Sequence, residues 1–446
     1  MNKIIEQLQN KNIIILGFGM EGKSTYNYIR KYLKDIKLTI MDSNYQNITL
    51  DDKNVEIIDI DYNKFNNYDL IFKSPGISFK DLDTTSFKDK ITSQLEIFLE
   101  TTPSYTIGIT GSKGKSTTTS LIYKIINDQN IKSYIVGNIG KPILDIVDEV
   151  DENTYVVIEC SSHQLEYTKV SPNIGIILNL FEEHLDHYKS KEHYYIAKMN
   201  LVNYQSNKDY FIYSSDNEDL KNHIDIINTN ATKLDINNIK NNNSYTYIKD
   251  NYIYVNDKKL YDVNTKRKIQ GIHNLKNIMF TLTVSEILKL DINKTIESIS
   301  NFEPLPHRME LVGTYNEITY YNDSIATIPN ATINGIEALS NVNTIIIGGK
   351  DRGIDYSLLK DYLINSEIEN IICLPDTGYT IGKEITNKNV HYVKTVEEAV
   401  DIAREVTKKN TICLLSPAAS SYGFYKNFEE RGNRFKEYIR KEENKW

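Results

Sequence analysis

Residues 105–117 read YTIGITGSKGKST, and this stretch decides the fold of the middle of the chain. A short apolar run leads into a glycine-rich turn, and a helix-compatible stretch follows at 118–127. The backbone N–H groups of such a turn and the start of the helix face an anion, and a lysine adds a point charge. The motif is not a strict G-x-x-x-x-G-K-[ST], because Ile109 stands where the first glycine belongs. It predicts a nucleoside triphosphate site formed by Gly111, Ser112, Lys113, Gly114, Lys115, Ser116 and Thr117.

The composition excludes several classes of protein. The chain has 446 residues, enough for roughly three domains, and its 40% hydrophobic and 25% charged residues are typical of a globular protein. No run of about 18 apolar residues occurs and the first ten residues are too polar for a signal peptide, which predicts a cytoplasmic protein without membrane insertion. A net charge of −8 argues against a nucleic-acid partner. The scattered cysteines Cys160, Cys373 and Cys413 are expected to be buried free thiols.

A second glycine-rich turn opens the chain. An apolar strand at 12–16 is followed by GFGMEG (17–22), a helix-compatible stretch at 23–32 and a strand at 37–41 that ends at Asp42. This G-x-G-x-x-G pattern with a later acid predicts that a dinucleotide or a nucleotide sugar lies over the turn. The alternative is that the glycines only allow close packing of helix on strand. A strand at 68–72 then runs into the turn SPGI (74–77).

Polar residues follow the apolar strands of the middle block. Strands at 154–158 and 174–178 end at Glu159 and Asn179, and ligands bind at the carboxyl ends of strands in open α/β sheets. Glu159 is therefore a candidate magnesium ligand, or else it caps the next turn, and His184 taken alone is a surface histidine. We expect the Asn-rich segment 228–243 to be a solvated loop and 245–255 to form a hairpin.

The last block alternates strands and helices in the same way. Strands are predicted at 317–322, 344–347, 370–374 and 411–415, with a helix at 396–407. This pattern indicates a small parallel-sheet domain with a site built from loops. The whole chain is thus predicted to be an α/β protein with domains at 1–101, 102–303 and 304–446.

Taken together, these motifs resemble the Mur ligases over the whole chain. The ordered matches are GITGSKGKST (108–117), GNIG (137–140), ECSSHQLE (159–166), NLFEEHLDHY (179–188), AK (197–198), GIHN (271–274), LPHR (305–308), YNDS (321–324) and LSPA (415–418). The first turn, SPGI (74–77) and KNFEERGN (426–433) favour the D-glutamate-adding branch of the family. The resemblance implies an N-terminal Rossmann-like domain that binds a UDP-sugar, a central P-loop ATPase-type domain with a mostly parallel sheet, and a C-terminal Rossmann-like domain that binds an amino acid.

The activity implied by the resemblance is ATP-dependent amide formation in peptidoglycan synthesis, through an acyl phosphate. D-glutamate would be joined to UDP-N-acetylmuramoyl-L-alanine by a monomeric enzyme that needs ATP and two Mg²⁺ ions. Lys115, His184 and Lys198 would be the catalytic residues. Ser116 and Glu159 would bind one Mg²⁺, and His184 with a carbamylated Lys198 the other. Carbamylation would convert an ammonium, which repels a metal, into an oxygen ligand.

The resemblance also implies the remaining contacts. ATP would further meet Asn274, Asn277, Arg308 and Asp323. The UDP-substrate would meet Met20, Glu21, Asp42, Ser43, Ser74, Gly76, Asn138, Ser161 and Gln164. D-glutamate would meet Thr327, Arg352, Ser421 and Phe428.

Two departures bear on the choice of amino acid. Ile325 stands where many Mur ligases carry a lysine, and His163 replaces an apolar aromatic residue. A sister ligase for another amino acid is the alternative within the family. A nicotinamide dehydrogenase, suggested by residues 17–22 and Asp42, is the alternative outside it, and the phosphate loop at Lys115 argues against it.

Overall fold

A computed structural model of the chain describes residues 3–184, 187–269, 271–303, 305–351 and 353–441. The chain divides into two compact units. Unit 1 comprises residues 1–266 and 275–301, and unit 2 comprises residues 267–274 and 302–446. Among the described residues, unit 1 contains two sheets and unit 2 contains one.

The first sheet of unit 1 is parallel, with the strand order β3-β2-β1-β4-β5. Its elements are α1 (Lys3–Leu8), β1 (Ile13–Leu16), α2 (Met20–Tyr32), β2 (Leu38–Met41), β3 (Val55–Ile58), β4 (Leu70–Lys73), β5 (Ile91–Thr92) and α3 (Gln94–Thr101). Strand β1 is buried along its whole length at the centre. A Cβ on Gly22 would collide with the carbonyl oxygen of Gly17, so this glycine is needed for close helix-strand packing.

The second sheet of unit 1 has nine strands in the order β14-β13-β12-β11-β10-β9-β6-β8-β7. Its strands are β6 (Tyr105–Thr110), β7 (Ser133–Gly137), β8 (Tyr155–Glu159), β9 (Ile174–Ile177), β10 (Tyr210–Tyr213), β11 (Thr232–Ile239), β12 (Ser244–Lys249), β13 (Tyr252–Val255) and β14 (Lys258–Asp262). The helices are α4 (Lys115–Asn127), α5 (Ser162–Leu165), α6 (Lys191–Met199), α7 (Glu218–His223), α8 (Ile272–Ile287) and α9 (Ile292–Ser300). Only the pairs β12–β13 and β13–β14 are antiparallel among the strands described here.

One sequence prediction for this sheet is wrong. The Asn-rich segment 228–243 is predicted to be a solvated insertion or loop, yet half of it forms β11, which pairs in parallel with β10. Leu234 and Ile236 are buried on this strand, and the carboxylate of Asp235 accepts hydrogen bonds from both the amide (3.0 Å) and the hydroxyl (2.8 Å) of Ser215. The predicted hairpin that follows is confirmed as β12 and β13.

Unit 2 is built on a six-stranded sheet with the order β15-β16-β20-β17-β18-β19. Its elements are β15 (Glu310–Tyr315), β16 (Ile318–Asn322), α10 (Pro329–Glu337), β17 (Val342–Gly349), α11 (Ser357–Asn365), β18 (Asn370–Asp376), α12 (Thr377–Lys383), β19 (Asn389–Tyr392), α13 (Val396–Val406), β20 (Thr411–Leu415) and α14 (Phe428–Lys441). The pair β15–β16 is antiparallel, and the other pairs are parallel.

The α/β class with mostly parallel sheets is therefore confirmed, while the division into three domains stays a prediction. Cys160, Cys373 and Cys413 are buried free thiols, as predicted. Within the ranges that the structure describes, no helix combines the length and the apolar character required to cross a membrane.

Candidate active site

The glycine-rich turn of unit 1 connects β6 to α4. Gly111 and Gly114 have φ angles of +152° and +84°, a region that side chains rarely adopt. Gly114 is the residue that precedes the first turn of α4, so Lys115, Ser116 and Thr117 form the start of that helix. The first N–H groups of a helix have no partner within the helix, and they attract anions.

Asn179, two residues after the end of β9, holds this turn in place. Its Oδ1 accepts from the amide of Lys113 at 2.8 Å, and its Nδ2 donates to the carbonyl of Lys113 at 3.1 Å. The Ser112 hydroxyl adds a second clamp, because it accepts from the amide of Phe181 at 2.8 Å and donates to the carbonyl of that residue at 3.0 Å. The sequence places Asn179 near the phosphates but does not predict this contact, because Asn179 and Lys113 lie 66 positions apart in the chain.

Two lysines converge on the same turn. Lys115 Nζ donates to the carbonyl oxygens of Gly111 at 2.8 Å and Ser112 at 2.9 Å. Lys198 Nζ, on α6, donates to the same Gly111 carbonyl at 2.9 Å. The Lys198 side chain is 1% exposed, and its pKa lies well below the ordinary value because of burial and, to a smaller extent, the charge of Lys115.

Glu159 ends β8, next to β6 in the sheet, and is 1% exposed. Its Oε1 accepts from Asn138 Nδ2 at 3.1 Å. Its Oε2 has no hydrogen-bond partner in the described ranges. A buried carboxylate oxygen without a donor is costly, and a cation would remove that cost.

His184 is exposed and adopts a left-handed backbone conformation with φ of +57°. Its ring centroid lies 4.7 Å from that of His163 and 5.8 Å from that of Tyr194. The Tyr194 ring in turn lies 4.7 Å below Lys198 Nζ. Burial, aided by His187 and His184, lowers the pKa of His163 to about 2, so its imidazole is neutral.

Six of the nine residues predicted for the UDP-substrate lie at the carboxyl edge of the first sheet, whereas Asn138, Ser161 and Gln164 follow β7 and β8 of the second sheet. Asp42 accepts from the amides of Phe18 and Asn44, each at 2.7 Å, beside a cavity of about 500 Å³. Ser74 donates to the carbonyl of Gly17 at 2.9 Å. Ser43 and Gly76 stand in the turns after β2 and β4, and the Met20 side chain is 72% exposed at the start of α2.

A hydrogen bond connects this edge of the first sheet to α5, which follows β8 of the second sheet. Gln164 Nε2 donates to Glu21 Oε1 at 2.7 Å, and Ser161 and Gln164 form a reciprocal cap at the start of α5. Lys73, buried at the end of β4, lies 3.3 Å from Glu166 Oε2, which is also 3.1 Å from His187 Nε2. The pairing of Lys73 with Glu166 is not predictable from the sequence, because it requires two distant segments to meet.

In unit 2, Asp323 follows β16 and is buried. Its Oδ2 accepts from the Ser416 hydroxyl at 2.9 Å, and its Oδ1 accepts from the Met309 amide at 3.2 Å. Burial raises the pKa of Asp323 to about 7, although the Ser416 hydrogen bond and the Arg308 charge oppose the rise. Asn274 Nδ2 lies 3.2 Å from His273 Nε2 in the same unit.

Three of the four residues predicted for D-glutamate lie after β16, after β20 and at the start of α14. Ser421 follows β20 and is buried, and the carbonyl of Phe428 accepts from the Ser324 hydroxyl at 2.8 Å. Thr327 is half-buried shortly after β16. Arg352 lies outside the described residues, so its predicted contact stays a prediction.

Comparison with known proteins decides the family. Residues 109–285 match the Mur ligase middle domain, and residues 307–419 match the Mur ligase, glutamate ligase domain. A UDP-N-acetylmuramoylalanine–D-glutamate ligase from Clostridium kluyveri is 33% identical over 96% of both chains. The enzyme of that name from Clostridium tetani is 30% identical over 98% of both chains. The chain belongs to the Mur ligase family. It is an ATP-dependent ligase of peptidoglycan precursor synthesis.

Solved structures agree with this Mur ligase fold. A UDP-N-acetylmuramate-alanine ligase from Thermotoga maritima superposes with a TM-score of 0.61 at 17% identity, covering 97% of this chain and all of that one. A MurF ligase from the same organism, in complex with ADP, gives a TM-score of 0.60 at 15% identity, covering 99% of this chain and 96% of that one.

One side chain of this Mur ligase, Glu159, fits a role as a ligand of the implied cations. No group of three or more His, Cys, Asp and Glu side chains is arranged as a metal site in the described ranges. The implied set is different in kind, since it consists of a hydroxyl, a carboxylate, an imidazole and a carbamate. The unpartnered Oε2 of Glu159 is a suitable oxygen ligand for Mg²⁺.

Proposed function

We propose that this ligase joins D-glutamate to UDP-N-acetylmuramoyl-L-alanine and consumes ATP through an acyl-phosphate intermediate. The observation that carries the proposal is the convergence of Lys115 and Lys198 on the carbonyl of Gly111, within the phosphate-binding turn. The names and near-complete coverage of the curated relatives support the choice of substrates. A cytoplasmic, monomeric enzyme without nucleic-acid or membrane partners is part of the same proposal.

Positioning and charge do most of the chemical work in such a reaction. The turn and the start of α4 would hold the ATP phosphates, and Lys115 would exchange its bonds to backbone carbonyls for bonds to phosphate oxygens. Two Mg²⁺ ions, when bound through Ser116, Glu159, His184 and Lys198, would supply positive charge against the phosphates. Asn138 would keep Glu159 oriented, since it already donates to one carboxylate oxygen.

Burial prepares Lys198 for carbamylation. Carbon dioxide reacts with a neutral amine, and the pKa of Lys198 is lowered chiefly by burial. The ring of Tyr194 and the Gly111 carbonyl hold its Nζ close to the phosphate turn. The resulting carbamate oxygens would face the same turn.

The uridine substrate would extend along the first sheet towards this turn. Asp42 stands beside a cavity of about 500 Å³, and the Glu21–Gln164 contact connects that edge to α5. The carboxylate of the substrate would attack the γ-phosphate. The amine of D-glutamate, held by Thr327, Arg352, Ser421 and Phe428, would then displace phosphate from the acyl phosphate.

Phosphate release tests the proposal. The wild-type enzyme should release phosphate only when ATP, UDP-N-acetylmuramoyl-L-alanine and D-glutamate are all present. Phosphate release is then measured with a panel of other amino acids in place of D-glutamate. If the protein is a sister ligase, one of these amino acids gives a higher rate than D-glutamate. Equal phosphate release without any amino acid would overturn the proposal.

A further inference from the structure

Arg431, in the second turn of α14, is 0% exposed and is the largest fully buried side chain described. Burial of a guanidinium removes its hydration, and buried arginines are usually paired with carboxylates. Burial lowers the pKa of Arg431 only to about 10, so the side chain remains charged at neutral pH.

Every nitrogen of this guanidinium donates to a neutral acceptor. Nε donates to the Ser324 hydroxyl at 3.0 Å, and Nη2 donates to the Ser324 carbonyl at 2.8 Å. Both terminal nitrogens donate to the Ala419 carbonyl at 3.2 Å, and Nη1 also reaches the Gly348 carbonyl at 3.4 Å. No carboxylate forms an ion pair with Arg431 within the part of the chain that the structure describes. Its hydrogen bonds are therefore satisfied while its charge is not neutralised.

The acceptors come from the carboxyl ends of three strands. Ser324 follows β16, Gly348 lies at the end of β17, and Ala419 follows β20. A Cβ on Gly349 would lie 3.0 Å from Nη1, so glycine leaves the room that the guanidinium occupies. The charge thus lies directly beneath the loops at this edge of the sheet.

The same loops carry the residues proposed to bind the amino acid. Ser421 lines a small cavity together with Arg431, and Phe428 begins the helix on which Arg431 stands. Ser324 connects them, because its hydroxyl donates to the Phe428 carbonyl and accepts from Arg431 Nε. A charge in such a dry setting acts over several ångströms, since little water screens it.

We propose that Arg431 is a positioning and specificity-determining residue, whose unneutralised charge makes the amino-acid site of this ligase select an anionic side chain over a neutral one. The inference rests on the proposed function. The carboxylates of the bound amino acid would supply the negative charge that the protein itself does not place near Arg431. Loss of the positive charge should lower the preference for the anion by about tenfold, as expected for a unit charge several ångströms away in a protein interior.

The experiment compares D-glutamate with D-glutamine, which has the same shape without the charge. kcat/KM for both amino acids is measured with the full-length enzyme, with Arg431→Gln and with Arg431→Lys. Arg434→Gln is the matched control, because Arg434 lies on the same helix and pairs with Glu397 at the surface at 2.7 Å. Circular dichroism and the KM for ATP report whether each variant is folded.

Arg431→Gln should lower the ratio of the two kcat/KM values by about tenfold through a higher KM for D-glutamate, with the KM for ATP unchanged. Arg431→Lys should lower the ratio less than Arg431→Gln does, because a lysine carries a positive charge for as long as it stays protonated in this buried site. An unchanged ratio in a folded Arg431→Gln would overturn the inference. If Arg431→Gln does not fold, the same criterion applies to Arg431→Met, a second neutral variant with an unbranched side chain. Failure of the proposed function is distinct, since the wild-type enzyme would then show no turnover that depends on D-glutamate.

Discussion

Replacement of Gly114 by alanine tests how strictly the phosphate turn depends on glycine. Gly114 has a φ of +84°, and a Cβ at this position would lie 2.9 Å from Asn277 Oδ1 and 3.3 Å from Leu178 Cδ1. Asn277 accepts a hydrogen bond from the Thr118 hydroxyl at 3.1 Å, and it is also a proposed contact of ATP. The substitution therefore strains the turn and displaces a side chain behind it.

The free-energy cost has two parts. A non-glycine residue in the left-handed region costs about 1 to 2 kcal/mol, and loss of the hydrogen bond between Thr118 and Asn277 costs about 1 kcal/mol more. Gly114→Ala should thus lower the free energy of unfolding by about 2 to 3 kcal/mol. Displacement of Asn277 should also weaken ATP binding by at least about tenfold, equivalent to about 1.4 kcal/mol.

Urea unfolding followed by circular dichroism measures the first effect, and titration calorimetry with ATP measures the second. Gly19→Ala is the control, because Gly19 has a φ of −72° and no atom lies within 4 Å of a Cβ built there. A Gly114→Ala enzyme with the stability and ATP affinity of the Gly19→Ala control would refute the reasoning.

Three further predictions concern charged side chains. Lys115→Ala should abolish phosphate release with an unchanged circular dichroism spectrum. Lys124→Ala, which removes a surface ion pair with Asp128 on the same helix, should stay active. A fully active Lys115→Ala would refute the role assigned to Lys115. Lys198→Ala should be inactive, and added short carboxylates should restore part of its activity. Lys191→Ala, which changes an exposed lysine on the same helix, should stay active without them. Normal activity of Lys198→Ala without added carboxylate would count against carbamylation. Burial raises the pKa of Asp323 from 3.8 to about 7, so the native state binds this proton more tightly and unfolding free energy is lost as pH rises between those values. Between pH 5 and pH 8 the free energy of unfolding of the wild-type protein should fall by roughly 2 to 3 kcal/mol, and Asp323→Asn should not show this fall. Urea unfolding at the two pH values measures the difference, and an equal pH dependence in both proteins would contradict the raised pKa.

The parts of the fold with strong local signals could be predicted from the sequence. Glu159 and Asn179 are predicted at strand ends because each follows an uninterrupted apolar run. In the structure Glu159 is the last residue of β8, and Asn179 comes two residues after the end of β9. The glycine-rich turn was recognised from its spacing, although α4 begins at Lys115, three residues before the predicted helix. Gly114 is the last residue of the turn, so α4 can begin at the next residue.

Other features depend on contacts between distant residues and leave little trace in the sequence. Strand β11 does not stand out in the sequence, because the asparagines of segment 228–243 hide the short alternation of Leu234 and Ile236. Its buried Asp235 accepts hydrogen bonds from Ser215 of a neighbouring segment. The guanidinium of Arg431 could not be assigned to the interior, because an arginine on a charged helix is normally exposed. Its burial follows only from three strand ends that meet around it.

Oxygen transfer during turnover tests the central claim most directly. The carboxylate of UDP-N-acetylmuramoyl-L-alanine is labelled with ¹⁸O, and the phosphate released in the presence of ATP and D-glutamate is examined by mass spectrometry. An acyl-phosphate route predicts that each phosphate carries a single ¹⁸O atom from the substrate, because the bond formed to the γ-phosphorus keeps that oxygen when the amine displaces phosphate. Phosphate without ¹⁸O, released at the rate of amide formation, would contradict the account.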